Sequence, residues 1–193
     1  MQQLLAIFFS TMIINNFVLA KILGLCPFLG ITKKLETSFG MGMAVTFVIA
    51  LAGVLSWSID RLILYPFSII YLRTIVYILV IAALVQLVET VMKKVSPLLY
   101  QALGIYLPLI TTNCVVLGVV LLILNKGYNF MEMLVYSVGA PVGFTLALLI
   151  MAGIRENLAL ARVPKPFQGV PIALITTGIL ALAFLGFSGM IRE

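Results

Sequence analysis

Long apolar runs separated by short polar clusters dominate this chain, and their lengths decide its class. Six runs, at 3–27, 39–59, 68–92, 98–124, 130–153 and 170–190, match the requirement for a spanning helix, which is about 20 mostly apolar residues. The punctuation between them is polar. It reads Thr32-Lys33-Lys34-Leu35-Glu36, Asp60-Arg61, Lys93-Lys94-Val95-Ser96-Pro97 and Asn125-Lys126-Gly127-Tyr128-Asn129. The longest loop is expected from Arg155-Glu156 to Pro171, with Pro164 and Pro166 inside it. No run alternates with a period of two, so the spans are helices and not barrel strands. The pattern predicts an all-α integral membrane protein with six transmembrane helices.

Composition strengthens that reading. Of 193 residues, 63% are hydrophobic and 9% charged, whereas soluble domains carry roughly 25% charged residues. Mean hydropathy is +1.25. A water-soluble fold of this length has no room to bury so much apolar surface. Histidine is absent, which removes Ser-His-Asp and Cys-His catalysis within the chain. No basic segment precedes the first apolar run, so that run is expected to stay as a span, not to be cleaved. The net charge of +6 is spread over short loops, which reads as an orientation signal and not as a nucleic-acid patch. The odd-numbered loops hold seven basic residues (Lys33, Lys34, Lys93, Lys94, Arg155, Arg162, Lys165) against four on the other side (Arg61, Arg73, Lys126, Arg192). That bias places the odd loops in the cytoplasm and both termini outside.

The six spans divide into two sets of three, at 1–96 and 97–193, forming one membrane domain. Three is odd, so the second set enters the membrane inverted relative to the first, the arrangement of many transporter folds. Local words support a repeat. Cys26-Pro27-Phe28-Leu29-Gly30-Ile31 and Cys114-Val115-Val116-Leu117-Gly118-Val119 share a C-x-x-L-G pattern, and they contain the only two cysteines. Ser38-x-Gly40 and Ser137-x-Gly139 open the second span of each half, with Thr46 and Thr145 at the same offset. Both Cys words sit where a helix should falter. Pro27 follows Cys26, between Gly24 and Gly30; Pro108, Thr111, Thr112 and Asn113 precede Cys114. Interrupted helices in corresponding spans, here 1 and 4, point to a functional site. Asn15, Asn16 and Asn113 are intramembrane amides that need partners: each other, backbone or water.

Three readings of the thiols compete. They are small buried hydrophobes, or they form a disulfide, or they ligate a metal. Two thiolates do not close a tetrahedral zinc or [2Fe-2S] site, which takes four ligands. With no histidine available, metal ligation requires further ligands from a second chain. A homologous partner that also supplies two cysteines is the economical source, and one-electron transfer is the chemistry that suits so buried a centre.

At these residues the chain resembles a known family. Asn15-Asn16-Phe17-Val18-Leu19, Gly24-Leu25-Cys26-Pro27-Phe28, Lys33-Lys34-Leu35-Glu36-Thr37, the stretch from Leu103 to Cys114, Ala152-Gly153-Ile154-Arg155-Glu156 and Gly186-Phe187-Ser188-Gly189 look like the RnfA/NqrE family. The resemblance runs end to end, and the Asn15-Asn16 pair, the Cys26-Pro27 step and the short loop between spans two and three favour the RnfA branch. It implies a subunit of a ferredoxin:NAD oxidoreductase complex in a bacterial or archaeal cytoplasmic membrane, with no complete active site in this chain. It implies a [2Fe-2S] cluster held by Cys26 and Cys114 together with two cysteines of an RnfE-like subunit of opposite topology. Flavins and further iron–sulfur clusters belong to other subunits, among RnfB, RnfC, RnfD and RnfG. Electron flow between a cytoplasmic ferredoxin/NAD arm and outward-facing flavin carriers would be coupled to Na⁺ or H⁺ translocation. The alternatives are an NqrE-type subunit of a sodium-pumping NADH:quinone reductase, a secondary transporter, or a docking scaffold.

The remaining charges have two readings each. Lys21, five residues before Cys26, either raises the potential of a cluster or snorkels to the interface. Glu89 either pairs with Lys93 across one helical turn or binds a coupling ion. Asp60-Arg61 and Arg155-Glu156 are expected to anchor helix ends. Lys33-Lys34 would face anionic lipid, the default reading, or a cytoplasmic subunit. Trp57 and most tyrosines fit the interface belts, but Tyr106 lies too deep.

Overall fold

A computed structural model describes residues 2–64, 70–95, 109–110 and 112–187. Among these residues the fold is all-helical. The α-helices are α1 (Gln2–Phe9), α2 (Leu25–Ile31), α3 (Leu35–Ile59), α4 (Arg73–Val95), α5 (Cys114–Asn125), α6 (Phe130–Leu160) and α7 (Val170–Leu185). π-helical turns extend α1 over Ser10–Ile14 and α3 over Asp60–Leu64. Among the described residues, three helices are long and apolar enough to cross a membrane: Leu35–Leu62, Arg73–Thr90 and Phe130–Leu160. Three apolar helices are shorter: Leu4–Ile14, Cys114–Asn125 and Val170–Leu185. The long ones fall on expected spans two, three and five. The short ones fall on one, four and six, and those in spans one and four are short because the helix breaks.

The centre of the bundle is α3 against α6. Gly42 meets Thr145, and a Cβ on Gly53 would lie 2.5 Å from Ser137 Oγ, so the two helices run antiparallel. Small residues at the seam let the backbones approach closely, as in membrane helix pairs generally. Val45, Ile49 and Ala52 of α3 and Phe144, Leu148 and Met151 of α6 are fully buried along it. On the seam the Thr46 hydroxyl donates to the Gly42 carbonyl at 2.7 Å, and the Thr145 hydroxyl to the Pro141 carbonyl at 2.8 Å. The outer faces are apolar too. Phe39, Met43 and Phe47 of α3 and Ile179 and Leu182 of α7 are exposed, as expected where lipid is the solvent.

Two boundaries differ from the sequence expectation. Helix α6 opens on a capping box between Asn129 and Glu132 and continues to Leu160, past the expected end at 153. Arg155 and Glu156 therefore lie on the helix and not in a loop; the first breaker is Pro164. Pro27 does not break its helix. It occupies the first turn of α2, where a missing N–H costs nothing.

Candidate functional site at the paired helix breaks

The first break is built upstream of Cys26. After the π-turn, Asn15 leaves helical geometry and the chain runs irregularly to Gly24. Polar side chains satisfy what the helix gives up. Asn16, fully buried, donates from Nδ2 to the Gly143 carbonyl at 2.7 Å, and its Oδ1 accepts the Val18 N–H at 3.0 Å. Asn15 Nδ2 donates to Ser10 Oγ at 3.2 Å. Gly143 is required here: a Cβ on it would lie 2.6 Å from the Met12 carbonyl oxygen. The chain then turns through Ile22, a β-branched residue at φ 56°, and Gly24 at φ 81° to start α2. A positive φ at isoleucine is strained, and such strain concentrates at functional sites.

The second break precedes Cys114. Asn113 caps α5, its Oδ1 accepting the Val115 N–H at 3.1 Å. Cys114 is thus the first residue of a helix, at the positive end of the dipole. The two breaks meet there: the Gly24 N–H donates to Cys114 Sγ at 2.9 Å. The packing at Gly24 is tight, since a Cβ would lie 2.5 Å from Val115 Cγ2. Cys26 is two residues from Gly24, so its Cα lies within roughly 8 Å of the Gly24 Cα. Both thiols are free of disulfide and exposed at the surface of the chain. Within this chain neither cysteine is a core residue.

A clamp holds the Cys26 helix from its other end. Arg155 Nη1 donates to the Leu29 carbonyl at 2.7 Å and to Thr32 Oγ1 at 3.0 Å, at the C-terminal end of α2. Glu156 Oε1 accepts the Leu35 N–H at 3.1 Å, at the N-terminus of α3. Cation at a C-terminus and anion at an N-terminus both complement the helix dipole. The pair is more than the helix-end anchor expected from sequence: it binds α6 to the α2–α3 corner across more than 120 positions.

One buried atom near the thiols is unsatisfied. Asn113 Nδ2 has no hydrogen-bond partner among the described residues, a condition that costs about 1–3 kcal/mol. Asn113 does not pair with Asn15 or Asn16; those two bond locally and to α6. Lys21 is exposed, with Nζ 5.1 Å from the centre of the Phe17 ring. Glu89 is half-buried on α4; the Lys93 side chain expected to pair with it lies outside the described residues, as do Tyr106, Pro108, Thr111 and Arg192. No group of three or more His, Cys, Asp or Glu side chains with metal-holding geometry is found among the described residues.

These features define a class: a helical membrane protein in which two helix breaks touch through the Gly24 N–H and Cys114 Sγ, each break lying beside an accessible cysteine. The chain belongs to the Rnf-Nqr family, whose model, described as "Rnf-Nqr subunit, membrane protein", matches residues 4–191. It is 56% identical over 192 residues to proteins from Escherichia fergusonii, Escherichia coli and Shigella boydii, each named as the A component of an ion-translocating oxidoreductase complex. In each comparison the alignment covers 100% of both chains.

Proposed function

We propose that this chain is the A-type membrane component of an ion-translocating oxidoreductase complex and carries half of an intramembrane [2Fe-2S] site. Cys26 and Cys114 supply two ligands, and a homologous RnfE-like subunit of opposite topology supplies two more. The observation that carries this reading is the 2.9 Å contact from the Gly24 N–H to Cys114 Sγ, which draws the two Cys-bearing segments to one place while leaving both sulfurs accessible.

The residues present fit such a group. A backbone N–H already aimed at sulfur stabilises thiolate charge, and so does the start of α5. The unpaired Asn113 amide adds polar capacity at the same spot. When bound, the cluster would supply one-electron transfer. The chain's own residues do the positioning: Asn16 ties the first break to α6, Gly24 holds Cys114, and Arg155 fixes the far end of the Cys26 helix. Electrons would pass between a cytoplasmic ferredoxin/NAD arm and outward-facing flavin subunits, with Na⁺ or H⁺ translocation in the same complex.

The test is direct. Cys26→Ser and Cys114→Ser should each remove the iron and the paramagnetic signal of one [2Fe-2S] centre while the complex still assembles. Unchanged iron in both variants overturns the reading. The broken helices also suit a secondary transporter. Flavin-independent visible absorbance that both Cys→Ser variants lose favours the cluster; absorbance that neither variant changes favours the transporter.

A further inference from the structure

At the end of α6 away from Arg155 lies a polar cluster that electron transfer does not use. Asp60, only 7% exposed, accepts Arg73 Nε at 3.0 Å, Arg73 Nη2 at 3.2 Å and the Tyr77 hydroxyl at 2.6 Å. The next residue, Arg61, stacks on Trp57, with 5.7 Å from its guanidinium carbon to the ring centre. Trp57 is itself fixed, since its Nε1 donates to the Tyr128 carbonyl at 3.3 Å. Asp60, Arg61, Arg73, Trp57 and Tyr128 line an open cavity of about 150 Å³ with Ile123 and Leu124 on its apolar side.

The charges do not balance. One carboxylate faces two guanidiniums, leaving a net charge of +1 at the cavity. Three donors already occupy Asp60, and Arg73 Nη1 has no partner among the described residues. Arg61 has its ring contact but no carboxylate among the described residues. A cation is repelled from such a site; an anion completes it. The last carbonyls of α5, which border the cavity, are turned to their own chain. Leu122, Ile123 and Leu124 accept the N–H groups of Lys126, Tyr128 and Gly127 at 3.0, 3.4 and 3.2 Å. Depth selects the kind of anion. A tryptophan and a tyrosine at the end of a span mark the headgroup level of the bilayer. An apolar wall beside two arginines suits a phosphate that carries acyl chains.

We propose that this cavity seats the phosphate of an anionic phospholipid. The site stands independently of the thiol pair. Native mass spectrometry of the purified complex, titrated with phosphatidylglycerol, tests it. Arg61→Gln should weaken binding to this chain roughly fivefold, the loss expected for one arginine at a membrane surface. Arg61→Lys should restore most of it, because the charge returns. Asp60→Asn should tighten binding, because the opposing charge is gone. Phosphatidylcholine should bind weakly and equally in all variants. Equal phosphatidylglycerol binding by wild type and Arg61→Gln overturns the proposal. So does competition by inorganic phosphate alone at matched concentration, which would make this a free-anion site.

Discussion

The two helix breaks use one device and finish it differently. In each, an asparagine side chain accepts the N–H two residues ahead, Asn16 from Val18 and Asn113 from Val115. At the first break the other end of the amide is also used, on the Gly143 carbonyl, and the irregular stretch runs from Asn15 to Gly24. At the second, Asn113 Nδ2 is left without a partner among the described residues. The first break is therefore a fastened joint, tied to the longest helix of the bundle. The second is a capped helix start with an open donor next to a thiol. Local capping breaks a helix; long-range pairing decides how firmly the break is held.

The largest expected effect comes where the two breaks touch. Gly24→Ala forces a side chain into φ 81° and against Val115. Strain at a positive φ together with overpacking should cost about 2–5 kcal/mol. Cys114 should lose its N–H donor, so the contact between the two breaks is lost. Thermal unfolding in detergent, together with the rate of thiol alkylation at Cys114, checks this. An unchanged midpoint and unchanged alkylation would show that the breaks do not depend on each other.

Asn16→Ala comes next. It removes two buried hydrogen bonds and leaves the Val18 N–H unpaired at a buried position. A loss of about 2–3 kcal/mol is expected. Hydrogen exchange should rise across 15–24 and stay low at 114–120, because the second break has its own cap. Equal exchange at both breaks would remove the distinction between them.

Much of this was legible in the sequence, and the limits are physical. Apolar run lengths located the helical regions, and the Cys words located both breaks to within about ten residues. The exact break was not legible. Gly24-x-Cys26-Pro27 drew attention to Pro27, yet Pro27 sits harmlessly in the first turn of α2. The first helix ends at Asn15, and the residue that fastens the break is Asn16, whose partner is 127 positions away. The Asp60–Arg73–Tyr77 cluster escaped for the same reason. The spacing of Arg73 and Tyr77 by one helical turn was its only local sign. Which faces pack was also hidden. In α3 the buried Val45 and Ile49 and the exposed Phe47 and Leu51 are all apolar, because lipid asks for the same side chains as the core.

Arg155 offers a smaller perturbation that separates positioning from folding. Arg155→Gln gives up two hydrogen bonds to the end of α2 but leaves α6 intact. About 1–2 kcal/mol should be lost. Arg155→Lys should recover the charge at the helix C-terminus but not the fork on Leu29 and Thr32. If the clamp positions Cys26, alkylation of Cys26 should change more than that of Cys114. Parallel change at both thiols would make Arg155 a general stabiliser.

The smallest effect has the opposite sign, and it sets the breaks apart most sharply. Asn113→Ser keeps an N-cap oxygen for α5, since serine caps about as well as asparagine. It deletes the unpaired Nδ2, whose burial costs about 1–3 kcal/mol. The variant should therefore be as stable as wild type or more stable by up to about 1 kcal/mol, once the small void is counted. Asn16→Ser, which loses a satisfied amide, should be destabilised. Unfolding midpoints measured side by side decide the matter. If both substitutions destabilise alike, the Asn113 amide is paired in the assembled protein, and a group supplied at the thiol site is the natural acceptor.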